Sequence, residues 1–351
     1  MLVVTDRPGE RYLTQLDDPA AATIFLTEGE PTVFVSHPAE PAQGQSWSTD
    51  VRRIEGPAAI QIVERLRELG ADRAIVGVTG LDSQLHAPEG TLNYNRFIIM
   101  REWLPHARWV GASELMREAT HVKSSEEIAA LGLAARAAEV GLQAALAHRP
   151  QETSDRSLWA RAVSAATLKG AEPTPELVLS TEGEGTTTTA AKPVDRGFLA
   201  GDLIHLQVTA STEGYRATLT QPVTVGIPNG RLTDAWKTHA EAWEQVWPQM
   251  LAGNALDGLS ARSSSGNYRV QIDLVGVGMG DDLPWVSSGV VRAASLDGPF
   301  LKDGECFFLN VSVAWAEAGS ERRLQWGDSV AITAKGPRRL GARPRELHLW
   351  K

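Results

Sequence analysis

Apolar and polar positions alternate along this chain with two different periods, and the switches between them divide it into elements. Thr23-Ile24-Phe25-Leu26 and Thr32-Val33-Phe34-Val35 flank Glu28-Gly29-Glu30-Pro31, which predicts a β-hairpin. From Ala58 to Leu69, residues Ile60, Ile62, Val63, Leu66 and Leu69 recur at helical spacing, and Gly70 closes that helix before a strand at 74–78. Strands and helices in this order predict an N-terminal α/β domain over residues 1–115, with the Pro-, Gln-, Ser- and Gly-rich stretch 38–48 as a surface loop.

A second domain, residues 116–351, takes shape around Ser124 and Glu127, which have capping-box spacing ahead of an alanine-rich helix running to about His148. A helix from Ser154 to Lys169 follows, then strands between Glu176 and Val225. The next helix, Leu232 to Val246, is interrupted by Pro248, and strands return from Tyr268 to Thr333. Within this half the chain echoes itself. Residues 201–208 and 304–311 each run glycine, acid, three residues, leucine, amide, valine. The echo predicts helix pairs followed by antiparallel strands, repeated about a pseudo-twofold axis.

Composition narrows the function classes. The chain has 351 residues, 34 Lys and Arg against 43 Asp and Glu, and a net charge of −9. With no evident Lys/Arg cluster, such a balance argues against a nucleic-acid partner. At 42% apolar residues, two domains of about 150 residues can each bury a core. The single cysteine, Cys306, forms no internal disulfide and no cysteine zinc site, which implies a reducing compartment. No apolar run approaches the ~20 residues of a membrane helix, so the expectation is a cytoplasmic protein with no membrane partner.

Several candidate chemistries are weak. Gly276-Val277-Gly278-Met279-Gly280 looks superficially like a phosphate-binding loop, but Asp281-Asp282-Leu283-Pro284 puts negative charge and proline where a helix should begin. No H-E-x-x-H pair and no G-x-S-x-G elbow occur, and Ser287-Ser288-Gly289 has no identifiable His/acid partners. Cys306, in an apolar strand, is expected to be an inert buried thiol. Eleven tryptophans, among them Trp285, Trp315 and Trp326, are expected mainly to fill cores.

An ordered succession of short stretches resembles the pita-bread family of aminopeptidase P, prolidase and creatinase over nearly the whole length. They are Arg11-Tyr12-Leu13-Thr14, Val122 to Ile128, Gly201-Asp202-Leu203-Ile204, Glu213-Gly214-Tyr215, Val223 to Gly226, Gly276 to Gly280 and Asp328-Ser329-Val330. The resemblance implies a creatinase-type N-terminal α/β domain, a C-terminal pita-bread domain and a homodimer. It also implies two divalent metals held by two Asp, one His and two Glu.

Carried over by position, those ligands fall on Gln207, Thr218, Val277, Asn310 and Gly327, and a further family histidine falls near Ala190. None is an acid or an imidazole. Two dications about 3.5 Å apart repel by roughly 19 kcal/mol at an effective dielectric of about 20, which anionic ligands must offset. Two amides, a hydroxyl, a valine and a glycine supply no such charge, so no metal cofactor is expected. Gln207 and Asn310 are expected to hydrogen-bond within the core, or to line a neutral pocket with Thr218, Thr220 and Ser312. His205, two residues from Gln207 on the same strand face, is the one titratable group left to point into it.

Three functions are compatible with these residues. The first is a catalytically degenerate Xaa-Pro peptidase-like protein that binds a peptide, a small amide ligand or a protein partner. The second is a metal-independent C–N hydrolase resembling creatinase, which would need His205 or Glu213 as a repositioned acid/base. The third is residual aminopeptidase or dipeptidase activity.

Overall fold

A computed structural model describes the chain except residues 6, 16–21, 37–47, 85–86, 148–153, 173–174, 184–185, 191–194, 262–265, 281, 288–289, 293–298 and 318. The expected loop at 38–48 therefore lies, save Ser48, outside the described residues. So do Ala191 to Pro193, Asp281, Ser288 and Gly289. The chain divides into two compact units, Met1–Ala119 and Thr120–Lys351, residues 279–281 apart from the latter.

The first unit is built on a six-stranded sheet. Its elements are β1 (Leu2–Val4), α1 (Arg7–Thr14), β2 (Ala22–Phe25), β3 (Thr32–Val35), β4 (Asp50–Arg53), α2 (Ala58–Glu68), β5 (Ile75–Val78), α3 (Tyr94–Trp103), β6 (Arg108–Gly111) and α4 (Ser113–His121). The order β4-β3-β2-β1-β5-β6 mixes an antiparallel β1-β2-β3 meander with parallel pairs at both ends. Ile62, Val63 and Leu66, predicted on one helix face, pack with Val3, Ile24, Phe34 and Val76. The predicted hairpin forms with Thr23 opposite Val33.

The first helices lying wholly within the second unit are α5 (Ser125–Leu146) and α6 (Asp155–Leu168). The Ser124 hydroxyl accepts the Glu127 N–H and the Glu127 carboxylate accepts the Ser124 N–H, so the predicted capping box is complete. Helix α5 is, by length and composition, long and apolar enough to cross a membrane, which corrects the expectation that no such stretch exists. Its Ala137, Ala138, Leu142 and Ala145 are buried against α6 and the sheet instead.

The strands are β7 (Glu176–Gly183), β8 (Thr186–Ala190), β9 (Leu203–Thr212), β10 (Tyr215–Val225), β11 (Arg269–Gly276), β12 (Trp285–Ser287), β13 (Val290–Arg292), β14 (Cys306–Glu317), β15 (Ser320–Thr333), β16 (Gly336–Arg339) and β17 (His348–Trp350), with α7 (Gly230–Val246) between β10 and β11. The sheet runs β13-β12-β11-β14-β15-β10-β9-β7-β8, with β16 on β15 and β17 on β10.

The sequence echo corresponds to matched geometry. Gly201 and Gly304 both have φ +90°, a conformation glycine adopts without the clash a Cβ brings. Gly201 N–H donates to Val225 O and Gly304 N–H to Ile332 O, while Asp202 O and Glu305 O accept from Val225 and Ile332 in return. The two acid side chains also match, each accepting the N–H three residues before it, from Leu199 at 3.0 Å and Lys302 at 2.8 Å. The hairpins β9-β10 and β14-β15 are thus two copies of one unit.

Candidate functional site

Successive side chains of a strand point to opposite faces. In β9 and β10, Ile204, Leu206, Val208, Leu219 and Val223 pack on α5 and α6. In β14 and β15, Leu309, Val311 and Trp326 pack with Trp243 and Val246 of α7. The alternate residues, His205, Gln207, Thr209, Thr220, Asn310, Ser312, Gln325 and Gly327, therefore share the other face, and most of them are polar.

Strand register then sets them in rows. Gln207 stands opposite Thr220, Thr220 opposite Gly327, Gly327 opposite Asn310, and Asn310 opposite Asp273. At about 4.8 Å per strand, three steps separate Gln207 from Asn310 by roughly 14 Å. Thr220 Oγ1 donates to Gln207 Oε1 at 3.3 Å, and Asn310 Nδ2 donates to Gln325 Oε1 at 3.4 Å. Asn310 is only 8% exposed, and its Oδ1 has no hydrogen-bond partner among the described residues. The single carboxylate of the row, Asp273, accepts from Gln271 Nε2 at 2.8 Å and Ser287 Oγ at 2.5 Å.

The other anticipated positions lie at varying distance from this row. Thr218 is in the next row, its hydroxyl 2.9 Å from that of its neighbour Thr209. His205 is in the row on the other side, opposite Pro222. Its Nε2 accepts the Gln325 N–H at 3.3 Å, and burial, aided by the positive Arg323 and Arg322, pushes its pKa down to about 3. A neutral imidazole with this lone pair engaged is poorly suited to general-base work. Val277 follows β11, and its N–H donates to Cys306 O at 3.0 Å, four residues and about 13 Å along β14 from Asn310. Ala190 is on the outer strand β8, opposite Leu179. Glu213 is exposed in the β9-β10 turn, at φ +53°.

Side chains complete the seam between the two hairpins, where β10 and β15 share the single register pair Thr220 and Gly327. On one side Ser329 Oγ accepts the Thr218 N–H at 2.9 Å and donates to Thr218 O at 3.0 Å. At the pair itself, Arg343 Nη2 donates to Thr220 O at 2.9 Å and Gly327 O at 2.5 Å. His205 takes the N–H on the far side.

Arg343 is buried and its pKa falls to about 10 through desolvation, although the fully buried Asp328 accepts from it at 3.2 Å. Arg339 also donates to Asp328, at 2.8 Å. Both guanidinium groups lie over the Trp326 ring, at 4.4 Å and 4.9 Å from its centroid. Trp326 is fully buried core on the helix side, in line with the expectation that the tryptophans mainly fill cores. Residues 335–345 carry five Lys and Arg and no acid, which corrects the expectation that no basic cluster exists. Arg339 and Arg343 are paired with Asp328, and Arg345 with Glu244 at 2.7 Å.

Gln325, Asp273, Ser329 and Arg343 were not anticipated at the site. The alternation Gln271, Asp273 in β11 was legible as a polar strand face, whereas nothing local to Arg343 signals that it reaches a seam 16 residues away at Gly327. The Cys306 thiol is pushed up to about 12 by burial, consistent with inertness.

Among the described residues no three of His, Cys, Asp and Glu gather into a metal-holding group. The neutral amide and hydroxyl oxygens of the row lack the charge that two closely spaced dications require. The described residues of this row do not fit such a centre.

A two-domain α/β architecture whose larger domain repeats helices and antiparallel hairpins in this way is the pita-bread fold. Residues 129–334 match the model of metallopeptidase family M24, and the chain belongs to that family. It is 23% identical over 266 residues, 74% of each chain, to an Xaa-Pro dipeptidase of Pyrococcus furiosus. Among solved structures, an Xaa-Pro dipeptidase from Bacillus anthracis superposes with a TM-score of 0.79 at 17% identity, covering 99% of this chain and 94% of that one. The N-terminal domain of FACT complex subunit SPT16 from Cicer arietinum superposes with a TM-score of 0.67 at 13% identity, covering 98% and 91%.

Proposed function

We propose that this chain keeps the M24 scaffold without its dinuclear metal chemistry and works as a binding module for a peptide or small amide ligand. The observation that carries the reading is the row Gln207, Thr220, Gly327, Asn310 and Asp273, in which the only acid is already hydrogen-bonded twice. The unpartnered, buried Oδ1 of Asn310 supports it further. A buried acceptor without a donor is costly, and a ligand N–H would relieve that cost.

The relative and the solved structure named as Xaa-Pro dipeptidases favour a competing reading, a working dipeptidase with rebuilt ligands. Metal analysis of untagged protein, with hydrolysis of Xaa-Pro dipeptides measured in added Mn²⁺, Co²⁺ and Zn²⁺, separates the two. The binding-module reading expects substoichiometric metal, no cleavage, and thermal stabilisation by a peptide or small amide. Stoichiometric metal with cleavage would establish the dipeptidase instead.

A further inference from the structure

A cavity of ≈ 780 Å³ lies between α5 and the β15-β16 hairpin with its following loop, and no residue of the polar row lines it. Its size falls in the range of small-molecule sites. Ile128 and Ala129 of α5 face Leu340 and Ala342 across it, so the walls are largely apolar. The charged residues lining it are Arg136, Arg338 and Arg339, and no Asp or Glu is among them.

These polar groups differ in what they have left to offer. Arg339 is committed to Asp328 and to Arg343 O. The Ser125 hydroxyl donates to Glu126 and the Thr333 hydroxyl to Gly336 O. Arg136 donates only to Gly132 O of its own helix, at 3.3 Å, and the Arg338 side chain has no hydrogen bond or ion pair among the described residues. The nearby acids already have partners, Glu126 with Ser125, Glu127 with Ser124 and Tyr215, Glu139 with the Ala342 N–H, and Asp328 with Arg339 and Arg343, and none of them is ion-paired with Arg136 or Arg338. Two arginines with no ion-pair partner among the described residues thus border one largely apolar cavity in a chain of net charge −9.

We infer that this cavity binds a small organic anion in which a carboxylate is joined to an apolar body, the carboxylate meeting Arg136 and Arg338 and the body covering the Ile128 and Leu340 walls. Guanidinium forks match carboxylate geometry, and the apolar walls gain from being covered. The inference does not depend on whether the M24 site is catalytic.

The test is calorimetric titration of the full chain with N-acetyl-L-leucine, its neutral isostere N-acetyl-L-leucinamide, and inorganic phosphate. The acid is expected to bind, more weakly as salt is raised, while the amide and phosphate bind at least roughly tenfold more weakly. The Arg136→Gln/Arg338→Gln variant, both substitutions being on exposed side chains, is expected to keep the wild-type melting curve and lose the acid's binding. Amide or phosphate binding that equals the acid's and is lost in the double variant, no binding of the acid at millimolar concentration, or an unchanged affinity for the acid in a folded double variant would each overturn the inference.

Discussion

The ring of Phe308 lies against Gly327 so closely that a Cβ built on the glycine would stand 2.7 Å from its Cε2 and Cζ, and 2.8 Å from Leu309 O. Gly327 is the position at which the family resemblance places the last metal-binding glutamate. An aromatic ring now occupies the space into which any side chain there must grow.

Restoring a side chain at 327 is therefore expected to destabilise. Gly327→Ala should cost about 1–3 kcal/mol by overpacking, and the penalty should shrink by roughly 1 kcal/mol in a Phe308→Ala background. Urea denaturation of the two single variants and the double variant measures this coupling. Strict additivity would show that the ring is not the obstacle.

Removal of metal should leave the fold untouched. The melting temperature is expected to be the same in EDTA and in millimolar Mn²⁺, because a ligand stabilises only the state that binds it. A rise of several degrees in Mn²⁺ would reveal a site at neutral donors that charge arguments do not supply.

Arg343→Met should cost about 3 kcal/mol or more, since it strips a buried carboxylate and two seam carbonyls of a charged donor. Arg339 stays on Asp328 and limits the loss. Arg343→Lys should not rescue it, because an ammonium lacks the planar fork that reaches Asp328, Thr220 O and Gly327 O together. Denaturation midpoints with an unchanged m-value provide the check.

His205 makes stability fall as the solution is acidified. Its folded pKa of about 3 lies below the ordinary 6.5, so between those values the unfolded chain binds the proton more readily. Its contribution is fully present above pH 6.5 and is lost as pH falls towards 3. His239, likewise buried with a pKa near 3, acts in the same direction. His205→Gln offers an acceptor for the Gln325 N–H but cannot be protonated, so the difference between wild type and variant should grow steadily below pH 6.5. A difference independent of pH would remove the histidine from the account.

The two echo glycines should differ in their tolerance of substitution. Gly201 and Gly304 share the same positive φ, which disfavours any L side chain by ~1–2 kcal/mol. A Cβ on Gly201 meets nothing within 4 Å, whereas one on Gly304 would approach Lys123 O at 2.8 Å and Val122 Cγ1 at 2.9 Å. Gly304→Ala is expected to lower the melting temperature more than Gly201→Ala, and equal losses would mean that backbone strain alone decides both.

Much of this protein was fixed by signals that act over a few residues. Helix boundaries followed from caps such as Ser124 with Glu127, and strand faces from period-two alternation. The repeat itself was legible because the turn into β9 and the turn into β14 each need a glycine at positive φ and an acid to take up a nearby N–H. Tertiary structure alone decided which faces meet. Gln207, Thr220, Gly327, Asn310 and Asp273 come from five strands, and only lateral register makes them one row. The reach of Arg343 to the Thr220 and Gly327 carbonyls, the ring of Phe308 over Gly327 and the departure of Val277 from the row are set by that same pairing. Local sequence pattern specifies the period of a strand, while the neighbour it pairs with, and at which residue, depends on contacts between distant stretches of chain, more than a hundred positions apart for Thr220 and Gly327.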